Sequence, residues 1–327
     1  MSRRQHGLDH YFRLMDAYGA ARVYDTALQI GLLDALGREP RTPADLAGEL
    51  GLQAAPLAGV LEVLQVLGLV EPEGDGFVLG DLGERLAAGP YRRLGGEFWD
   101  HLPVLLRTGE PLVQADAAAA GEAFYATQAA SLGWMLAPAA DLAARRLRVG
   151  DELRAPAILD LGAGSAVWSL AMASHDPAAR VVAVDRPAVL SVATRRAASL
   201  GLEGQLAVRP GDYHQVSLEP QGYDLAVLGN VTHLEDYEGL RSLLRRVREA
   251  LRSGGRAVIF DIFPRSPEGA LSGALYGLGL ALRTQQGRVH SETELAALLA
   301  ECGFGPARLT DLPVPPQAVG MLVAEKS

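Results

Sequence analysis

Ile158-Leu159-Asp160-Leu161-Gly162-Ala163-Gly164-Ser165-Ala166-Val167 runs from an apolar, strand-like segment through Gly-x-Gly into an apolar segment of helical spacing. Strand, glycine turn and helix in that order open a ligand site at the carboxyl edge of a parallel sheet, where backbone comes close to the ligand. A dinucleotide fingerprint needs a third glycine where Val167 stands. Its absence disfavours a ligand that seats a pyrophosphate on the helix N-terminus. Gly-x-Gly alone does not choose among ligands, so the segments on either side decide.

Downstream, strand-like runs at 157–161, 180–184, 206–208, 224–228, 256–260 and 319–324 alternate with helical patterns near 168–174, 187–199, 239–251 and 292–300. Near-continuous Val, Ile, Leu and Ala in the strands predicts a parallel sheet covered on both faces. Ser291-Glu292-Thr293-Glu294 is a capping-box pattern that starts the last helix.

The ends of these strands carry chemistry. Asp185 closes the second, where an acid can accept from both hydroxyls of a ribose. Gly211-Asp212-Tyr213 follows the third, offering a carboxylate to an adenine amino group and a ring to cover the base. The fourth ends at Asn230-Val231-Thr232-His233, and an imidazole suits proton removal near neutrality. Asp261 ends the fifth. If the fourth and fifth strands are neighbours, Asp261 fixes the tautomer of His233.

Upstream, residues 1–90 read as three helices and a hairpin, the winged-helix pattern. Its third helix, within 53–70, has no Lys or Arg to meet phosphate or bases. An apolar helix of this kind is expected to be buried, in its own domain or against a partner. Residues 91–150 read as a helical connector beside a cleft. Trp99, Phe124, Tyr125, Trp134 and Met135 in it, with Tyr276 from a later apolar segment, are candidates to line an acceptor pocket. Residues 151–327 form the ligand-binding domain.

The 327 residues are 49% hydrophobic and 21% charged, a globular composition, and the net charge of −9 argues against a nucleic-acid partner. Cys302 is the only cysteine, so no intrachain disulfide or zinc-thiolate site can form. The N-terminal stretch lacks the apolar core of a signal peptide, and no run is long and apolar enough for a bilayer. A soluble, cytoplasmic protein with no membrane partner is expected.

Taken in order, Asp160-Leu161-Gly162-Ala163-Gly164, Asp185-Arg186-Pro187, Gly211-Asp212-Tyr213, Asn230-Val231-Thr232-His233 and Gly254-Gly255-Arg256 behind a winged-helix front end resemble the class I S-adenosylmethionine (SAM)-dependent methyltransferases. More narrowly, the chain is similar to small-molecule O-methyltransferases of the caffeate/acetylserotonin type, over about residues 18 to 325. The resemblance implies an α/β, Rossmann-like sheet with SAM as cofactor, held by Asp160, Gly162, Gly164, Asp185, Asp212, Tyr213 and Asn230. It implies His233 as general base, Asp261 as its orienting acid, a small aromatic natural-product acceptor, and a homodimer built through the N-terminal domain. No metal is expected, because Asp212, Glu235 and Asp236 form no clear ligand cluster. The sequence leaves open C- or N-methylation, a non-methylating reaction, or a ligand-sensing regulator. It departs from the family pattern after His233, reading Leu234-Glu235-Asp236-Tyr237, and at Val289, where plant members carry a second acid.

Overall fold

The computed structural model describes residues 3–89, 91–263, 267–315 and 318–327, and the chain divides into two compact units, Met1–Gly96 and Glu97–Ser327. Among the described residues no helix is long and apolar enough to cross a membrane.

In the first unit α1 (Arg3–Gln29), α2 (Leu32–Ala35), α3 (Pro43–Leu50) and α4 (Ala54–Val66) precede a hairpin of β1 (Val70–Glu73) and β2 (Gly76–Leu79), then α5 (Asp81–Ala88). Helical spacing predicts one helix through 18–36. The chain breaks it at Gly31, in the left-handed region at φ 73°, a conformation that suits glycine. Thr42 and Asp45 exchange side-chain-to-backbone bonds at the start of α3, with Pro43 in its first turn. Arg41 pairs its backbone with Phe77, adding a third segment to the wing. Tyr24, Leu33, Leu46, Leu61 and Leu64 form the core. The apolar α4 is buried along one stripe only, Leu57, Leu61 and Leu64, while Val66 is 88% exposed.

In the second unit α6 (Gly96–Thr108) and α7 (Ala118–Arg146) lead into β3 (Ala157–Leu161), α8 (Val167–Ala173), β4 (Arg180–Asp185), α9 (Pro187–Leu200), β5 (Leu206–Pro210) and β6 (Tyr223–Gly229). There follow α10 (Tyr237–Ala250), β7 (Leu251–Ile262), α11 (Pro267–Arg283), α12 (Glu292–Glu301), β8 (Arg308–Asp311) and β9 (Val319–Glu325). The seven strands lie in the order β5-β4-β3-β6-β7-β9-β8. The first five are parallel and β9 runs antiparallel to both of its neighbours, β7 and β8, which corrects the all-parallel expectation. The reason is connectivity: β8 and β9 are joined by a short loop, whereas a parallel pair needs a crossover of a dozen residues or so.

Side chains alternate across the sheet with the period of two that a strand imposes. Val258 and Phe260 pack on the α7–α8 face, and Ala257 and Ile259 on the α10–α12 face. α11 takes in the apolar segment around Leu271–Leu282 although Gly269, Gly273, Gly277 and Gly279 each lower helix propensity by about 1 kcal/mol. With β4 on one side of β3 and β6 on the other, strand order reverses at β3. The carboxyl end of β3 is therefore the natural crevice for a ligand.

Candidate active site

A cavity of about 580 Å³ lies at the carboxyl ends of β3, β4, β5 and β6. That is the size of a small-molecule or cofactor site.

The loop after β3 forms its base. Gly162 has φ 65°, and a Cβ there would stand 2.5 Å from Val231 Cγ2, so only glycine lets this loop meet the end of β6. On the other side, a Cβ on Gly133 of α7 would lie 2.5 Å from Ser165 Oγ. The N–H of Gly164 donates to Asp185 Oδ2 at 2.8 Å, and the N–H of Arg186 donates to Oδ1 at 2.7 Å. These two bonds fix the carboxylate and leave a lone pair on each oxygen for a vicinal diol. Burial pushes the Asp185 carboxyl up, against the pull of the two N–H donors.

Asp212 accepts from the His214 N–H at 2.8 Å and from the Arg186 guanidinium at 3.3 Å. The Tyr213 hydroxyl donates to Glu235 Oε1 at 2.6 Å, and His214 Nε2 lies 3.0 Å from Glu235 Oε2. The Glu235 hydrogen bond raises the His214 pKa, and burial beside Glu235 raises that of Tyr213. Asn230 has φ 59°, bonds its N–H to the Phe260 carbonyl at 2.7 Å and accepts from Trp168 Nε1 at 3.4 Å. Trp168 stacks on Phe260 with ring centroids 3.9 Å apart.

Gly162, Gly164, Asp185, Asp212, Tyr213 and Asn230 all line the cavity. Asp160 does not. It is 1% exposed, and its carboxylate takes the hydroxyl of Ser169 on α8. The correction follows from strand alternation, which turns its side chain into the packed face. Trp168, Arg186, His214 and Glu235 also line the cavity. Arg186, His214 and Glu235 adjoin recognised motifs, but nothing in the sequence marks Trp168.

Burial raises the Asp160 carboxyl to about 7. The unfolded chain releases this proton near about pH 4, before the folded protein does, so stability falls as pH rises from about 4 to about 7. The full penalty, on the order of 4 kcal/mol, is present above that window. Asp160→Asn keeps the Ser169 partner without the charge. Calorimetry is expected to give it a higher Tm than the parent at pH 8 and a similar one at pH 4, and parallel curves would contradict this.

His233 sits in a short turn, Thr232–Leu234, just past β6. Its Nδ1 is 2.8 Å from Asp261 Oδ1, and its backbone N–H lies 3.2 Å from Oδ2. The Thr232 hydroxyl and the Ile262 N–H complete the shell of Asp261. The parallel pairing of β6 with β7, Gly229 opposite Phe260, brings the two strand ends together. His233 is 3% exposed and Asp261 4%. Burial would raise the Asp261 carboxyl, but His233 and the other donors prevail and hold it low. An ionised Asp261 keeps the proton on Nδ1 and the lone pair on Nε2.

Of the residues expected to line an acceptor pocket, Tyr125 lies on the cavity wall. Trp99, Phe124, Trp134, Met135 and Tyr276 do not line this cavity. Helical register is the cause on α7: Glu122, Tyr125, Ala129, Leu132 and Leu136 form the facing stripe, and residues 124, 134 and 135 fall off it. Phe124 packs edge-on against Tyr125 at 5.1 Å instead. Trp99 on α6 is 37% exposed. Tyr276 reaches His233, with its hydroxyl 3.1 Å from Nε2 and 3.3 Å from Nδ1, over the imidazole ring.

The profile of the O-methyltransferase domain matches residues 138–305. The chain is 28% identical over 325 residues to O-demethylpuromycin-O-methyltransferase of Streptomyces alboniger, covering 92% of this chain and 84% of that one. It is 26% identical over 327 residues to 3-amino-4-hydroxybenzoate 4-O-methyltransferase of Streptomyces cremeus, with 92% and 86% covered. It shares its fold with human N-acetylserotonin methyltransferase, solved with SAM, at a TM-score of 0.71 and 19% identity over 100% of this chain and 99% of that one. The domain match spans half of the chain, including the sheet edge that holds the cavity and the His233–Asp261 pair, and the chain belongs to the SAM-dependent O-methyltransferase family.

Proposed function

We propose that this enzyme methylates a phenolic hydroxyl of a small aromatic natural-product intermediate, with His233 as general base. The observation that carries the reading is the buried His233–Asp261 pair, 2.8 Å apart, with His233 on the turn whose Val231 and Leu234 line the cavity. The relative that acts on 3-amino-4-hydroxybenzoate supports the acceptor class.

The donor set fits an adenosyl group: Asp185 for the ribose diol, Asp212 for the adenine amino group and Tyr213 beside the base. Bound SAM supplies an electrophilic methyl group. The protein holds the acceptor oxygen at near-attack distance and takes its proton. A phenol with pKa near about 10 is a poor nucleophile at neutrality, and removing its proton is worth about 10²–10⁴ in rate. Incubation with SAM and a panel of phenols, including 3-amino-4-hydroxybenzoate, tests this. A product one methyl group heavier and methylated on oxygen is expected. Methylation on carbon or nitrogen alone would overturn the reading.

The N-terminal unit is proposed to join two copies of the chain. Leu8, Tyr11, Phe12, Met15 and Tyr18 recur at helical spacing along α1 and are 49% to 69% exposed, an apolar stripe of the kind that marks an interface. Phe12→Asp with Met15→Asp is expected to halve the mass seen by sedimentation. A parent protein that sediments as a single chain would contradict the proposal.

A further inference from the structure

We infer, on the reading that places an adenosyl group at Asp185 and Asp212, that Glu235 is a positioning residue of the cofactor site. Its carboxylate ties the loop that carries Tyr213 and His214 to the turn that carries His233, and SAM binds against that joined wall.

Tyr213 and His214 follow β5, whereas Glu235 follows β6. In the sheet these strands are separated by β4 and β3, so their axes stand three strand spacings apart, roughly 14 Å. Strand ends that far apart cannot bond each other directly, and side chains close the gap. The Tyr213 ring passes over Gly162, where a Cβ would stand 3.6 Å from its Cε1. Its hydroxyl donates to Glu235 Oε1 at 2.6 Å, and His214 Nε2 meets Oε2 at 3.0 Å. The link crosses the crevice at the end of β3, and Tyr213, His214 and Glu235 all line the cavity there.

Glu235 is itself held in place. It directly follows the turn Thr232–Leu234, and His290, just before α12, has its Nε2 3.1 Å from the Glu235 carbonyl. Its side chain is 12% exposed. Gly239 of α10 leaves room for it, because a Cβ there would collide with Oε2. A carboxylate has lone pairs enough on its two oxygens for both neighbours at once. The bond to Glu235 raises the His214 pKa; burial and Arg246 act against it, and Asp212 acts with it. Without Glu235, Tyr213 and His214 lose the group that orients them, and a nucleoside has to order that wall as it binds. The loss falls on cofactor affinity and not on the chemical step.

Glu235→Ala is expected to weaken binding of SAM and of S-adenosylhomocysteine alike, each by about 10- to 100-fold in calorimetric titration. With the panel phenol that the parent methylates fastest, kcat at saturating SAM should stay within about three-fold of the parent. In histidine-labelled full-length protein, the His214 NMR signal should titrate at lower pH in the variant. Glu235→Gln keeps an acceptor for Tyr213 and should recover most of the affinity. Gly239→Ala should fold at least as well, since Ala is the better helix former, yet it should weaken SAM binding by pushing Oε2 aside. Added to Tyr213→Phe with His214→Ala, Glu235→Ala should cost less than about a further two-fold. Parent-like SAM binding in Glu235→Ala or Gly239→Ala, a kcat loss that matches the affinity loss, an unmoved His214 titration, or a Gln variant no better than the Ala variant would each overturn the positioning role. A full further loss in the combined variant would overturn it too, by marking Glu235 as a direct contact. Asp185→Ala separates the two readings: if it binds SAM like the parent, the placement of the nucleoside has failed. If it loses SAM while Glu235→Ala does not, only the positioning role has failed.

Discussion

Replacing His233 by Ala is expected to lower kcat by about 10²–10⁴ while leaving the SAM dissociation constant within about two-fold. The asymmetry follows from position. His233 is bound to Asp261 and is not among the residues that line the cavity, so under the proposed reading it acts on the proton and not on the nucleoside. The loss should shrink with acidic phenols that are already ionised at the assay pH. Asp261→Asn should lose part of the same rate. Its amide cannot hold the imidazolium that forms, and it can favour the wrong tautomer of His233. Equal losses in kcat and SAM affinity for His233→Ala would mark a structural histidine.

Asp185→Ala is expected to weaken SAM binding about 10²- to 10⁴-fold, because two hydrogen bonds from the ribose to a carboxylate are worth roughly 1.5–3 kcal/mol each. The side chain also ties down the Gly164 and Arg186 N–H groups, so its removal loosens the loop that forms the base of the cavity. Calorimetric titration of SAM reads this without any acceptor. Asp185→Asn should recover part of the affinity, since its amide oxygen still accepts one bond. Unchanged SAM binding in Asp185→Ala would remove the ribose assignment.

The strand ends were legible in the sequence for a physical reason. Buried parallel strands need continuous apolar runs, and the polar residue that closes each run stands out against them. Asp185, Asp212, His233 and Asp261 are such residues, and the β6–β7 pairing joins the last two. Asp160 also interrupts an apolar run, but alternation turns it onto Ser169. The acceptor side was not legible, because it depends on helix register. Tyr125 faces the cavity and Phe124 does not, and composition alone cannot tell them apart. The antiparallel pair β8–β9 was missed in part because β8, Arg308–Asp311, is short and carries little apolar signal.

A crystal structure with bound S-adenosylhomocysteine tests the account most directly. The predicted result has the ribose hydroxyls within hydrogen-bond distance of Asp185, the adenine amino group at Asp212, and the sulfur directed toward the side of the site that holds His233. A nucleoside bound away from these carboxylates, or a sulfur facing the side opposite His233, would contradict it.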